Sequence, residues 1–200
     1  MKKFLLKIIS IFLIIVSGFC GYYGYLGYQI YQDKIEERSS SERVDQLKSK
    51  EDYVTLNQIS PIYKEAVLES EDRRFYQHGP VDYYGLARAM FTNLTTFSFK
   101  EGGSTITQQL AKNLYLSFEK DLSRKFAEVF IAKDLEDHYS KDEILEMYLN
   151  ITYLGEGNYG IQAASQHYYH IDAIDLNKQQ SEVLVKTLKR PSIYNPSKIN

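Results

Sequence analysis

Two glutamates set in apolar helical sequence have the residue type needed for acid/base chemistry. Glu71 ends a stripe that Tyr63 and Val67 begin at i, i+4 spacing. Glu128 stands in a run of alanine, valine, phenylalanine and isoleucine. A carboxylate on an apolar face is costly unless it is paired or used, so each glutamate is a candidate catalytic group. For either one alone, a helix-terminal or ion-paired surface glutamate is the ordinary alternative.

A glycine-broken turn and a set of basic side chains lie between the two glutamates. Gly102 and Gly103 interrupt the chain, and the pattern Thr105-x-x-Gln108 is a capping box that predicts a helix start. The free N–H groups at such a start can bind an anion. The basic residues that follow are Lys112, Lys120, Arg124 and Lys125. A solvated charged face is the alternative for these residues alone, but with the glutamates they suit acid/base chemistry on a sugar beside a phosphate.

The bulk composition excludes several classes of function. The chain has 200 residues, of which 44% are hydrophobic and 25% are charged, as in a globular protein. A formal net charge of -2 leaves no basic excess for general nucleic-acid binding. The single cysteine, Cys20, excludes a disulfide within the chain and a cysteine-based zinc site. We therefore expect one globular domain with a short appendage.

The N-terminal segment predicts a membrane anchor. The basic residues Lys2, Lys3 and Lys7 precede an uncharged run over residues 8–32, and residues 8–28 are enough to cross a bilayer as a helix. The cationic flank predicts a single-pass protein whose N-terminus is cytoplasmic and whose remaining chain lies outside. A cleaved signal peptide is the alternative, but no clean small-x-small cleavage site follows the apolar run.

The rest of the sequence predicts a mostly α domain. We count about seven stretches with helical periodicity and find no convincing alternating strand. Among them are a helix that starts at Ser60-Pro61, a helix over 84–93 and a helix over 123–139. We divide the chain into a cytoplasmic tip and transmembrane anchor at 1–31, a polar stalk at 32–52, and a globular domain at 53–200.

Four large apolar residues lie in and just after the last turn of the helix predicted over 84–93. They are Phe91, Leu94, Phe97 and Phe99, and they are separated by threonine and serine. One interpretation is a set of core residues around a loop, and the other is an apolar flap that touches the bilayer near the anchor. The pattern alone leaves both interpretations open.

Five short motifs follow one another along the chain. They are Glu71-Asp72-Arg73-Arg74-Phe75 with His78-Gly79 and Asp82; Gly102-Gly103-Ser104-Thr105-Ile106-Thr107-Gln108-Gln109; Arg124-Lys125 with Glu128; Lys141-Asp142-Glu143-Ile144-Leu145-Glu146 with Tyr148-Leu149-Asn150 and Tyr159-Gly160-Ile161; and Pro191-Ser192 with Tyr194-Asn195-Pro196. In this order they resemble the peptidoglycan glycosyltransferases of family 51, in the monofunctional membrane-anchored form. The resemblance covers about residues 53–196. The chain departs from the family at residues 182–186, where the usual small apolar helix is replaced by Glu-Val-Leu-Val-Lys, and at Lys120, where arginine is frequent.

The resemblance implies a lysozyme-like α fold with a small membrane-associated jaw near residues 91–103. It implies polymerisation of lipid II into glycan strands outside the bacterial cytoplasmic membrane, with inversion at the anomeric carbon. The growing glycan, still on undecaprenyl pyrophosphate, would be the donor and lipid II the acceptor. Because the sequence ends soon after the last motif, we expect cross-linking to need a separate transpeptidase.

The same resemblance implies roles for individual residues. Glu71 matches the family's general base, and Glu128 matches its second essential glutamate, which would hold a divalent cation (Mg²⁺ or Mn²⁺) on the pyrophosphate or orient Arg124. The residues expected to bind sugar or pyrophosphate are Ser104, Thr105, Gln108, Gln109, Lys112, Lys120, Arg124 and Lys125. A lysozyme-like peptidoglycan hydrolase and a non-catalytic cell-wall scaffold are the alternative functions.

Overall fold

The described part of the computed structural model, residues 2–98, 102–115 and 121–198, is almost entirely helical. Its α-helices are α1 (Lys2–Glu37), α2 (Ser40–Lys48), α3 (Pro61–Glu71), α4 (Tyr83–Thr96), α5 (Ile106–Tyr115), α6 (Leu122–His138), α7 (Lys141–Ile151), α8 (Ile161–Tyr169), α9 (Lys178–Lys189) and α10 (Pro191–Tyr194). In these ranges no β-strand forms, and an isolated antiparallel bridge joins Tyr153 to Tyr159. The prediction of a mostly α domain behind one N-terminal apolar helix is confirmed. The structure has more helices than the sequence predicts, because a short helix such as α10 has too few residues to show a periodicity.

Helices α5, α6 and α7 form the centre of the domain. α5 packs against both α6 and α7, and α3 packs against α9. Leu110 of α5, Ile131 of α6 and Ile144 of α7 are fully buried in the shared core. The backbone N–H of Ile106 donates to Asp72 Oδ2 over 3.0 Å, so the first residue of α5 meets the residue that follows α3. The core therefore brings the end of the Glu71 helix to the start of the Gln109 helix.

Side-chain caps explain where two of these helices begin. Thr105 Oγ1 accepts from the Gln108 backbone N–H over 3.2 Å, and Gln108 Oε1 accepts from the Thr105 N–H over 3.4 Å. Ser140 and Glu143 make the same reciprocal pair at the start of α7, over 3.3 and 2.9 Å. Each box satisfies N–H groups that the first turn of a helix leaves free. The helix start predicted at Thr105-x-x-Gln108 is thus confirmed.

Helix α1 is long and apolar enough to cross a membrane. At about 1.5 Å per residue it extends about 54 Å, which is longer than a hydrocarbon core of about 30 Å. Its first half is exposed, as Phe12 and Ile14 show with 62% and 71% of their surface accessible. Its second half packs against α6. The N-terminal helix therefore combines a candidate membrane span with a segment that belongs to the domain.

Helix α2 lies in the part of the chain that the sequence analysis describes as a polar stalk. Its Val44 and Leu47 are buried and belong to the main hydrophobic core. The capping box at Ser39 and Glu42 defines its first turn. The stalk segment thus contributes two apolar side chains to the core, while the division of the chain at residues 31/32 and 52/53 stays a prediction.

The apolar residues at the end of α4 face away from the core. Phe91 and Leu94 are 70% and 69% exposed, and Phe97, which ends the helix in the left-handed conformation, is 96% exposed. The interpretation of these three residues as core around a loop is therefore wrong, because they form an exposed apolar patch. Phe99 and residues 100–101 of the predicted jaw lie outside the described residues.

Candidate active site

An open cleft of about 740 Å³ is bounded by the end of α3, the start of α4 and the start of α5. The site residues from the sequence that line it are Glu71, Ser104, Thr105, Gln109 and Lys112. Gln108, Arg124, Lys125 and Glu128 do not line it, and Lys120 lies outside the described residues. Several further residues line the cleft although their sequence pattern gave them no site role, among them Asp72, Asp82, Arg88 and Lys189.

Glu71 is the last residue of α3 and is half-buried in the cleft wall. The stripe that leads to it is buried as expected, since Tyr63 and Val67 are 1% and 0% exposed. Ser70 Oγ donates to Glu71 Oε1 over 3.1 Å, and Gln109 Nε2 donates to Glu71 Oε2 over 3.3 Å. Both carboxylate oxygens therefore have a donor, and the group stays open to the cleft.

A buried tyrosine sets the orientation of the Gln109 amide. Tyr148 is 1% exposed, and its hydroxyl donates to Gln109 Oε1 over 3.1 Å. Burial, with the charge of Glu71 as the next cause, holds the pKa of Tyr148 well above its usual value, so the hydroxyl keeps its proton. Because the amide oxygen faces Tyr148, the amide NH₂ faces Glu71. Tyr148, Gln109 and Glu71 thus form a chain of hydrogen bonds that ends in the cleft.

Glu128 lies in the wall behind the cleft, on α6, and is 2% exposed. Its Oε1 is 3.3 Å from Arg124 Nη1, and its Oε2 accepts a short hydrogen bond from Lys125. Lys125 also donates to Ser104 Oγ over 2.7 Å, which links the Glu128 cluster to a residue of the cleft wall. Arg124 Nε is buried and has no acceptor among the described residues. Within the described ranges, that N–H therefore remains available to donate to a further group.

Lys112 completes the cationic cluster from the cleft side. Burial lowers the pKa of Lys112, the charge of Glu128 opposes that shift, and Arg124 and Lys125 add to it. These effects require the four side chains to lie within electrostatic range of one another. Three cations surround one carboxylate, so the cluster keeps a net positive charge next to the cleft.

Thr105 and Gln108 form the cap of α5, whereas Gln109 contacts Glu71. Thr105 Oγ1 donates to the Pro80 carbonyl over 2.9 Å as well as capping α5, and the residue is 2% exposed. Gln108 is 4% exposed, and its amide oxygen is used in the cap. Their role in substrate binding stays a prediction, whereas their part in shaping the turn before α5 is visible in these contacts.

Two aspartates and a histidine form a second group at the base of the cleft. His78 Nε2 lies 2.7 Å from Asp72 Oδ1, and Arg74 Nε lies 3.5 Å from Asp82 Oδ2. Ligand atoms of Asp72, His78 and Asp82 all lie within 4.8 Å of one another, so this group could hold a metal ion. The sequence carries these residues in its first motif but gives no sign that they converge, because that depends on the turn after α3.

The family model described as transglycosylase matches residues 38–200, which is most of the chain. The chain belongs to the transglycosylase family. The resemblance to the family 51 peptidoglycan glycosyltransferases, seen first in the five motifs, is confirmed.

Two relatives of this transglycosylase domain are penicillin-binding proteins. Over 143 residues, 72% of this chain, it is 47% identical to penicillin-binding protein 1F of Bacillus subtilis (strain 168). Over 145 residues, again 72% of the chain, it is 44% identical to penicillin-binding protein 1A of Neisseria lactamica. The matched regions make up 20% and 18% of those proteins, so the chain spans about a fifth of the length of the curated relatives it matches.

Proposed function

We propose that this protein is a membrane-anchored peptidoglycan glycosyltransferase that polymerises lipid II and releases undecaprenyl pyrophosphate. The observation that carries the proposal is a hydrogen-bonded Glu71 in the same cleft wall that Lys125 reaches through Ser104. A carboxylate base beside a net positive cluster suits a reaction in which a hydroxyl attacks and a pyrophosphate leaves. The family match and the penicillin-binding relatives support this class of reaction.

Glu71 is the general base of the proposed reaction. The 4-hydroxyl oxygen of the acceptor forms a bond to the anomeric carbon of the donor, and Glu71 takes the hydroxyl proton. The bond from that carbon to the pyrophosphate oxygen breaks, and its electron pair leaves with the pyrophosphate. Attack from the side opposite the leaving group inverts the configuration from α to β. The N–H of Gln109 holds the carboxylate in one orientation during this step.

The cationic cluster binds the leaving group. A pyrophosphate is a weak base, so it needs neutralisation of charge more than it needs a proton. Lys112 lies in the cleft wall, and Arg124 Nε, which has no acceptor among the residues that the structure describes, is a donor that a phosphate oxygen would satisfy. Glu128 holds Arg124 and Lys125 in place through the two ion pairs described above. Lys120, if it binds the pyrophosphate as the sequence predicts, would add a further cation to this cluster.

A divalent cation stays part of the proposal as a companion of the pyrophosphate. Both oxygens of Glu128 are engaged by Arg124 and Lys125, so Glu128 does not fit as a ready metal ligand. In the Asp72 group, Oδ1 contacts His78 and Oδ2 accepts from the Ile106 N–H, so this carboxylate is also occupied. Mg²⁺ or Mn²⁺ would therefore arrive with the substrate phosphates, which are the oxygen ligands that Mg²⁺ prefers. No step of the reaction described above depends on the ion.

The membrane arrangement follows from α1 and α4. The basic N-terminal flank favours a cytoplasmic N-terminus and a catalytic domain outside the bacterial cytoplasmic membrane. The exposed patch at Phe91, Leu94 and Phe97 would then lie on the outer bilayer surface, beside the lipid tail of the substrate.

A lysozyme-like hydrolase and a non-catalytic scaffold are the competing functions. A hydrolase also needs carboxylates, but its substrate has no pyrophosphate, so three cations around Glu128 would have no purpose in it. A scaffold needs neither a hydrogen-bonded base nor a charged cleft. Release of reducing sugar from finished peptidoglycan without lipid II would favour the hydrolase.

The deciding experiment is polymerisation of lipid II by the purified, detergent-solubilised full-length protein. Wild type should give ladders of glycan, and Glu71→Gln should give none. Glu65→Gln, the same change at an exposed position of α3, should polymerise at the wild-type rate. Each protein is assayed with and without Mg²⁺ or Mn²⁺. A well-folded wild type that makes no polymer, or an active Glu71→Gln variant, would refute the proposal.

A further inference from the structure

The second half of α1 lies along α6, the helix that carries Glu128. The rings of Tyr23 and Phe126 have centroids 6.5 Å apart, and the ring of Tyr28 meets Phe130 edge-on at 5.5 Å. One turn further, Tyr31 donates from its hydroxyl to Asp134 Oδ1 over 3.4 Å. Because residue numbers rise together along the contact, the two helices run in the same direction over about two turns.

A glycine brings the two backbones into direct contact. A Cβ atom at Gly27 would lie 2.5 Å from Phe126 Cβ and 2.8 Å from the backbone nitrogen of Ala127, closer than atoms can approach. A backbone atom in the middle of a helix cannot move aside without moving the helix. One turn earlier, a Cβ at Gly24 would lie 4.0 Å from Phe126 Cδ1, which is an ordinary contact. Only one of these two glycines is therefore required by the packing.

The contact lies next to the cationic cluster. Phe126 and Ala127 directly precede Glu128, and Arg124 and Lys125 belong to the same turn of α6. A displacement of α1 would therefore be passed directly to these three charged side chains.

The contact also lies at the level where α1 would leave a bilayer. From Ile8, where the uncharged run begins, a helix reaches Gly27 after about 29 Å, close to a hydrocarbon core of about 30 Å. The phosphates of any lipid-linked pyrophosphate lie at that same surface. The end of the membrane span and the turn of α6 that carries the cationic cluster thus lie at the same depth, at the bilayer surface.

We propose that the N-terminal apolar helix is a positioning element of the active site. Through Gly27 it holds the first turns of α6 at a fixed depth beside the bilayer, where the cluster of Arg124, Lys125 and Glu128 meets a lipid-linked pyrophosphate. This inference rests on the proposed function and adds a role for α1 beyond anchoring. A helix that served only as a tether would need no backbone contact with α6.

The test compares two alanine substitutions in the full-length protein reconstituted in liposomes. Gly27→Ala should raise KM for lipid II at least fivefold and change kcat less than twofold, because the base is untouched and only the position of the anion site shifts. Gly24→Ala adds the same methyl group one turn away and should stay within twofold of wild type in both constants. With a short-chain, water-soluble analogue of lipid II, Gly27→Ala should equal wild type, since bilayer depth no longer matters.

Three results would overturn the positioning role of α1. Equal loss with the long-chain and short-chain substrates would mean that Gly27→Ala damages α6 itself, and it would overturn the positioning role. Wild-type constants for Gly27→Ala in liposomes would overturn it as well. So would a Gly24→Ala variant that behaves like Gly27→Ala, because the effect would then not come from the close contact.

A distance measurement separates this inference from the proposed function. Cys20 is an exposed free thiol on α1, and Lys133→Cys would provide a second exposed labelling site on α6. Nitroxide labels at the two sites report the distance between the helices in the liposome-bound protein. Gly27→Ala should shift or broaden that distance and Gly24→Ala should not; an unchanged distance would overturn the docking. If wild type failed to polymerise lipid II, the proposed function would fail while the distance would still decide the docking.

Discussion

Replacing Tyr148 with phenylalanine removes the hydroxyl that fixes the Gln109 amide. Tyr148 is buried, and its hydroxyl is 3.1 Å from Gln109 Oε1, while Gln109 Nε2 is 3.3 Å from Glu71 Oε2. Without this donor, nothing holds the amide oxygen toward residue 148. The amide can then rotate so that its oxygen, and not its NH₂, faces Glu71. The substitution thus changes the base without touching the cleft wall.

The expected magnitudes follow from two hydrogen bonds. A hydrogen bond to a charged group contributes about 1.5–3 kcal/mol. At 3.3 Å the Gln109–Glu71 bond is long, so we take the lower end, which corresponds to about a tenfold fall in kcat. KM should stay within twofold, because no side chain that lines the cleft is replaced. Stability should fall by about 1–3 kcal/mol, since the Gln109 oxygen, which faces the buried Tyr148, is left without its donor.

The assay measures kcat and KM for lipid II polymerisation together with unfolding in denaturant. Tyr53→Phe is the matched control, since the hydroxyl of Tyr53 donates to Glu146 Oε1 over 2.7 Å and is not part of the cleft. The control should lose stability and keep its kcat.

One result would refute this reasoning. If Tyr148→Phe lost stability but kept kcat within twofold, the tyrosine would be a core residue only. A similar fall of kcat in Tyr53→Phe would also refute it, because the effect would then follow stability and not the orientation of Glu71.

Three further predictions concern a cation, a helix cap and the core. Burial lowers the pKa of Lys112, so Lys112 should lose its charge, and the protein its activity, at a lower pH than if this lysine were exposed. Lys112→Arg should shift this alkaline loss of activity to higher pH in a pH–rate profile, because arginine keeps its charge. Because the unfolded state binds the Lys112 proton more tightly, the charged Lys112 destabilises the folded protein, and this cost is relieved only as pH rises through the lowered folded-state pKa. Lys112→Met should therefore raise the thermal midpoint at neutral pH while lowering activity. Ser140→Ala should cost about 1 kcal/mol in denaturant unfolding. The backbone N–H of Ser140, and after it the Ser140 hydroxyl, lower the pKa of Glu143 by hydrogen bonding. Ser140→Ala removes only the hydroxyl's share of this stabilisation. That share is lost as pH falls through the folded-state pKa, so the difference between wild type and variant should shrink in acid. Leu110→Ala should cost about 2–5 kcal/mol in the same measurement, because Leu110 is fully buried in α5.

These three predictions have separate points of failure. An alkaline decline that stays in place in Lys112→Arg would assign it to another group. A Ser140→Ala difference that is constant from neutral to acid pH would remove the link to Glu143. A Leu110→Ala cost below about 1 kcal/mol would mean that the core collapses around the missing side chain.

The sequence by itself determined the features that depend on neighbours along the chain. Helical periodicity gave the mostly α class, and the capping box at Thr105 gave a helix start, because a cap involves residues only three positions apart. The apolar stripe that ends in Glu71 could be read for the same reason. The uncharged N-terminal run predicted a helix long enough for a membrane.

The tertiary structure alone decided which of these residues meet. Gln108 and Gln109 are adjacent and alike, yet one caps α5 in the core and the other donates to Glu71, because successive positions on a helix point in directions about 100° apart. The contact of Tyr148 with Gln109 joins residues 39 positions apart. The backbone contact of Gly27 with α6 is more distant still, and it depends on how two helices pack. Such contacts are set by the burial of apolar faces throughout the domain, which no local pattern encodes.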